Sequence, residues 1–280
     1  MVLGGGGVTG IAWLTGVIAG FIREGGVVPP GCRLIGTSAG SVVGAELAHG
    51  VPAETLVARQ LHVGVAASEP FRHYSQRQAD AKNRALVDKV GGDLTQARKR
   101  IGAFALRSET PSLESRRDII RSRLTCVDWP VRPLLITAVD ASTAQRVVLN
   151  KGSGLDLVDS IMASCAVPGV WPVVPLAQYR LMDGGLKSMT NADLALASDY
   201  VLVLAPLGYS DGNPVSGHLR AEVDSLRKAG AVVQVIVPDE ASAEAIGDNV
   251  LDPGRRIRSA EAGLAQGQRI SETLHDVWRT

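Results

Sequence analysis

At 280 residues with 45% hydrophobic content, the chain can bury a substantial core, which excludes general disorder. Twenty-nine basic against 28 acidic residues leave a net charge of +1, which excludes a general nucleic-acid binder. Cys32, Cys126 and Cys165 are too dispersed for a metal-binding pair or a disulfide framework.

In chain order, Met1-Val2-Leu3 reads as a short buried strand feeding Gly4-Gly5-Gly6-Gly7-Val8-Thr9-Gly10. A helix is expected over 11–24, ended by Gly25-Gly26. A second strand contains Arg33-Leu34-Ile35 and stops at Gly36, and a helix over 41–49 follows. Ser38 therefore stands at a strand-to-helix turn. The stretch 61–124 is more polar and helical. Between Arg98 and Arg123, basic residues outnumber acidic ones eight to three, as on a solvated helical face or a lid facing lipid. Strands resume at 134–139, 146–149, 200–204 and 232–237. Helices are expected around 156–163, 191–197 and 216–229, with a mainly helical tail over 257–277. The alternation predicts an α/β sheet architecture. No apolar run is long enough to cross a bilayer, and no secretion signal opens the chain, so the expected location is the cytoplasm.

Three local features point to chemistry. Gly5, Gly7 and Gly10 satisfy G-x-G-x-x-G, which on its own fits a dinucleotide site or a tight turn. The acidic residue that should close the second strand is missing, because Glu24 falls at the end of the expected first helix. Glycine amides before a helix also suit the stabilisation of a developing oxyanion, and Gly5, Gly6, Gly7 and Val8 form the donor region. Gly36-Thr37-Ser38-Ala39-Gly40 is a G-x-S-x-G match, whose small flanks tolerate a sharp turn that exposes the hydroxyl. Ser41 is a nearby alternative cap, which leaves Ser38 free to react. Finally, Leu181-Met182-Asp183-Gly184-Gly185 ends an apolar strand on an aspartate that could deprotonate a serine. His218 or His275 could complete a Ser-Asp-His triad in the usual order, although neither has a compelling local setting.

These segments, with Ala163-Ser164-Cys165-Ala166-Val167-Pro168-Gly169, resemble the patatin-like phospholipase family, and most of all its compact bacterial branch. The resemblance implies one catalytic domain over 1–280 with a three-layer α/β/α fold, a central mostly parallel sheet and a helical cap at about 61–124. It implies a Ser-Asp dyad with Ser38 as nucleophile, Asp183 as base and an oxyanion hole in the glycine loop. Trp171 and Val173 are candidate walls of an apolar substrate pocket. Two departures stand out: Thr9 occupies a position that is often basic in the family, and Thr190-Asn191-Ala192-Asp193 replaces an Asn-x-Pro segment.

The expected function is hydrolysis of phospholipid or lysophospholipid carboxyl esters through an acyl-enzyme, with transient contact with a membrane surface and no cofactor or metal. The competing readings are a small-ester carboxylesterase with a triad, a non-enzymatic lipid-binding protein and a nucleotide-dependent oxidoreductase.

Overall fold

Short, largely apolar runs form the strands. They are β1 (Val2–Leu3), β2 (Leu34–Thr37), β3 (Leu134–Asp140), β4 (Arg146–Leu149), β5 (Val174–Leu176), β6 (Tyr179–Asp183), β7 (Tyr200–Leu204) and β8 (Val232–Ile236). The computed structural model describes residues 1–62, 70–274 and 278. Within it the strands make one eight-stranded sheet in the order β5-β6-β3-β2-β1-β7-β8, with β4 paired to β3. The pairs β1–β2, β2–β3, β1–β7 and β7–β8 are parallel. Those joining β3 to β4, β3 to β6 and β5 to β6 are antiparallel.

Successive side chains on a strand point to opposite faces, and the core divides accordingly. Leu3, Leu34, Leu202 and Leu204 pack with the helices α1 (Gly7–Arg23), α2 (Ala39–Ala48), α3 (Ala53–Leu61) and α7 (Leu157–Ser164). Val2, Ile35, Val201 and Val203 pack on the other face with α8 (Leu219–Lys228). Helices thus cover both faces, as the three-layer expectation requires. The middle of the chain supplies α4 (Gln76–Lys89), α5 (Leu94–Arg107) and α6 (Leu113–Ser122). Ser75, Asp93 and Ser112 cap them by accepting backbone N–H bonds. Among the described residues, no helix is long and apolar enough to cross a membrane.

Several elements differ from the sequence expectation. α1 begins at Gly7, because the glycine run is drawn into its first turn by a bond from Thr9 N–H to the Val250 carbonyl (3.2 Å). The expected helix over 191–197 is a 3₁₀ turn at Ala192–Ala195. β5 and α9 (Glu240–Ile246) are too short to signal themselves in the sequence. The tail forms α10 (Arg256–Ile270) and a 3₁₀ turn at Ser271–Thr273.

Sheet register determines what can meet. Thr37 pairs with Thr137 on one side of β3, and Asp183 pairs with Ala138 on the other. Ser38, one residue beyond Thr37, therefore lies level with Asp183 across a single intervening strand. Two strand spacings separate their backbones by about 10 Å, a gap that two side chains can bridge.

Candidate active site

The nucleophile candidate sits on a strained turn. Ser38 has φ 51 and ψ −115, left-handed geometry that costs a non-glycine residue about 1–3 kcal/mol. It occupies the N-cap position of α2, yet its side chain makes no capping bond. The hydroxyl of Ser41 instead donates to the Ser38 carbonyl at 2.6 Å. The turn is pressed onto the glycine loop: the Gly40 N–H donates to the Gly4 carbonyl at 3.1 Å. A Cβ at Gly40 would lie 1.9 Å from the Leu3 carbonyl oxygen, so this position admits only glycine.

Asp183 ends β6 and is buried. Burial is the largest influence on its carboxyl, pushing the pKa up from 3.8 to about 6. The Gly185 N–H, bonded to Oδ1 at 2.8 Å, opposes that rise, as do the neighbouring Ser38 hydroxyl and the positive charge of Arg116. The carboxylate is thus ionised at neutral pH while remaining a stronger base than an exposed aspartate.

One segment fastens both residues. The Ser164 hydroxyl accepts the Ser38 N–H at 2.9 Å, and the Ala166 carbonyl accepts the Asp183 N–H at 3.0 Å. The Ala-Ser-x-Ala motif therefore acts as a clamp across β2 and β6. Asn191 is a second tie. Its Nδ2 donates to the Ser188 carbonyl at 2.6 Å and to Thr37 Oγ1 at 3.1 Å. That joins the residue before Ser38 to the turn after Asp183.

The loop beside Ser38 offers donors, but fewer than the sequence suggests. A Cβ at Gly5 would sit 3.5 Å from the Ser38 Cβ, which places the loop against the elbow. The Gly5 N–H is already bonded to the Met189 carbonyl at 2.8 Å, so Gly5 is withdrawn from the expected donor set. Among the described residues, the N–H groups of Gly6, Gly7 and Val8 have no protein acceptor. They belong to the first turn of α1, where helix geometry leaves amides unpaired and the dipole favours an anion. Gly7 has φ +61, and a Cβ there would meet the Val250 carbonyl oxygen at 2.4 Å.

The expected pocket residues are placed differently. Trp171 is 2% exposed, and its ring carries the Arg116 guanidinium at 3.7 Å and that of Arg72 at 5.1 Å. It is a platform for cations rather than an open acyl wall. Val173 packs beside Val87, Ile101 and Met182 in a separate cluster. Thr9 is wholly buried, with its hydroxyl toward the Gly6 and Val250 carbonyls. A positive charge instead approaches Asp183 from α6, through Arg116, which the basic stretch of the sequence presented as part of a solvated face.

The competing sites find little here. His218 Nε2 lies 3.0 Å from Arg98 Nη2 and 3.1 Å from the Val215 carbonyl. Burial and the Arg98 charge lower its pKa, and it is not among the groups acting on Asp183. His275 lies outside the described residues. Glu24 follows the far end of α1, about 25 Å along the helix from the glycine loop, so the dinucleotide fingerprint lacks its ribose partner. Among the described residues, no group of three or more His, Cys, Asp or Glu is placed to hold a metal.

A family profile described as patatin-like phospholipase matches residues 1–196. Comparison with curated proteins gives no match. Among solved structures, VipD from Legionella pneumophila is 11% identical with a TM-score of 0.43, over 96% of this chain and 66% of that one. The type III effector protein ExoU is 16% identical with a TM-score of 0.39, over 97% of this chain and 52% of that one. The chain thus spans less than two thirds of the length of either protein.

Proposed function

The chain belongs to the patatin-like phospholipase family, and on that premise we propose that it hydrolyses carboxyl esters of phospholipids or lysophospholipids through Ser38 and Asp183. The observation that carries this reading is an uncapped, left-handed serine that the sheet register sets level with a buried carboxylate of raised pKa, beside amides that lack acceptors among the described residues. Asp183 takes the Ser38 proton as Oγ attacks the acyl carbon, and the N–H groups of Gly6, Gly7 and Val8 receive the oxyanion. Asp183 then gives its proton to the leaving alcohol. Water attacks the acyl-enzyme with its proton passing to Asp183, the acid departs, and Ser38 regains its proton. No histidine is needed, because burial has already raised the basicity of the carboxylate.

The region over 61–124, of which 63–69 lie outside the described residues, serves in this reading as the cap. Phe71, Phe104 and Leu106 are exposed there beside numerous basic side chains, a composition suited to transient contact with an anionic membrane surface. Placement in the compact bacterial branch rests on the sequence resemblance.

The test is hydrolysis of p-nitrophenyl esters and defined phospholipids by wild type, Ser38→Ala and Asp183→Asn, with trapping of the acyl-enzyme. Turnover should fall by at least about 10³-fold in both variants and trapping should be lost in Ser38→Ala. Wild-type turnover by Ser38→Ala would overturn the assignment of the nucleophile.

A further inference from the structure

A cavity of about 360 Å³ lies between α1, α2, α3 and the end of α6. It is of the size that small-molecule sites occupy. Two stripes of side chains form its walls, and each starts at one arm of the candidate site. Val8, Ile11 and Thr15 descend α1 from the glycine loop. Val42 and Glu46, four residues apart on one face of α2, descend that helix from the turn that carries Ser38. Val8 belongs to both features: its N–H is a candidate oxyanion donor and its side chain lines the cavity. Leu56 and Leu124 extend the apolar section.

The far end is different in kind. Glu46 accepts Arg59 Nη1 at 3.0 Å and the Thr125 N–H at 2.7 Å. Arg256 lines the same end and caps α3, donating to the Arg59 carbonyl at 2.9 Å and the His62 carbonyl at 2.7 Å. A methyl terminus pushed among these groups would desolvate charges without pairing them. From Ser38 to Glu46 the helix rises about 12 Å, and an extended chain advances about 1.2 Å per bond.

We propose that this cavity holds the acyl chain, and that the Glu46–Arg59–Arg256 end restricts it to chains of about eight to ten carbons. The inference rests on the ester-hydrolase reading above and narrows its substrates to short- and medium-chain acyl groups. Each methylene buried in the apolar section should raise kcat/KM by about fourfold, until the charged end is reached.

The test is kcat/KM for p-nitrophenyl esters from acetyl to palmitoyl, each taken relative to the acetyl ester of the same protein, with wild type, Val42→Phe and Leu124→Ala. Wild type should peak at about eight to ten carbons. Val42→Phe should cut the decanoyl-to-acetyl ratio at least about tenfold, and Leu124→Ala should move the optimum to longer chains. Ser38-dependent hydrolysis with the same optimum in all three proteins overturns the pocket while leaving the hydrolase reading intact. If Val42→Phe does not fold, the direction of the Leu124→Ala shift decides. Should no ester be turned over, the hydrolase reading fails by itself, and titration of Ser38→Ala with decanoate and hexadecanoate still reads the cavity. Preference for decanoate, weakened in the Ser38→Ala/Val42→Phe double variant, supports it, and equal binding of both acids overturns it.

Discussion

Replacing Asp183 with asparagine should abolish turnover and, at alkaline pH, stabilise the fold. Burial lifts the Asp183 pKa from 3.8 to about 6, against the opposing pull of the Gly185 N–H, the Ser38 hydroxyl and the Arg116 charge. An acid that holds its proton more tightly in the folded chain favours folding below its unfolded pKa. That contribution is lost as pH rises through the folded pKa, because the folded state must then bury a charge that the unfolded chain leaves in water. At about 1.4 kcal/mol per pH unit, the rise corresponds to about 3 kcal/mol, lost between roughly pH 4 and pH 6. An asparagine keeps an oxygen for the Gly185 N–H and carries no charge. Asp183→Asn should therefore be about 3 kcal/mol more stable than wild type at pH 8, and equal to it at pH 3. Urea unfolding followed by circular dichroism at the two pH values measures this directly. An equal gain at both, or a loss at pH 8, would refute the argument that a buried charge is being held against its solvation.

Other perturbations test the supports of the site. Removing the Arg116 charge with Arg116→Gln should raise the Asp183 pKa further, so the acid limb of kcat/KM, expected near pH 6, moves to higher pH. A limb that stays in place would take Arg116 out of the account. Ser164→Ala leaves the buried Ser38 N–H without its acceptor and should cost about 1–3 kcal/mol in urea unfolding, with kcat falling more than KM changes. Gly40→Ala drives a Cβ to within 1.9 Å of the Leu3 carbonyl oxygen, so little folded protein should be recovered; a wild-type unfolding midpoint would contradict the close approach of β1 to the elbow.

Ser38 and Asp183 are legible in the sequence as candidates because each is marked by its immediate neighbours: an apolar strand before it and small or glycine residues around it. The two-faced sheet was legible for a similar reason, since strand and helix signals alternate along the chain. What escaped depends on partners remote in sequence. Gly5 looks like any other amide of the loop until the Met189 carbonyl comes to it. Trp171 looks like an acyl wall until Arg116 and Arg72 settle on its ring. Arg116 itself sits in a stretch of basic residues, and only tertiary packing distinguishes this buried cation from its solvated neighbours. Ser164 lies in the Ala-Ser-x-Ala segment, but its bond to the Ser38 N–H crosses from α7 to the elbow, and no local pattern encodes that contact.

Three features of the site oppose stability when each is taken alone. Ser38 is left-handed, Asp183 is a buried carboxylate, and the first amides of α1 lack acceptors among the described residues. Each would be eased by a simple change, such as glycine, asparagine or a capping side chain. All three lie at one level of the sheet, where β1 and β2 end and the register of β3 brings Asp183 opposite. Their costs are offset by the bonds that hold that level rigid: Gly40 to Gly4, Ser38 to Ser164, Asp183 to Ala166 and Asn191 to Thr37. An ester carbonyl placed there would relieve two of the three at once, since its developing oxyanion satisfies the free amides and its attack uses the basicity that burial imposes on Asp183. Under the proposed hydrolysis the strain is concentrated where a transition state would release it, which is the arrangement expected if binding is stronger to the transition state than to the ground state.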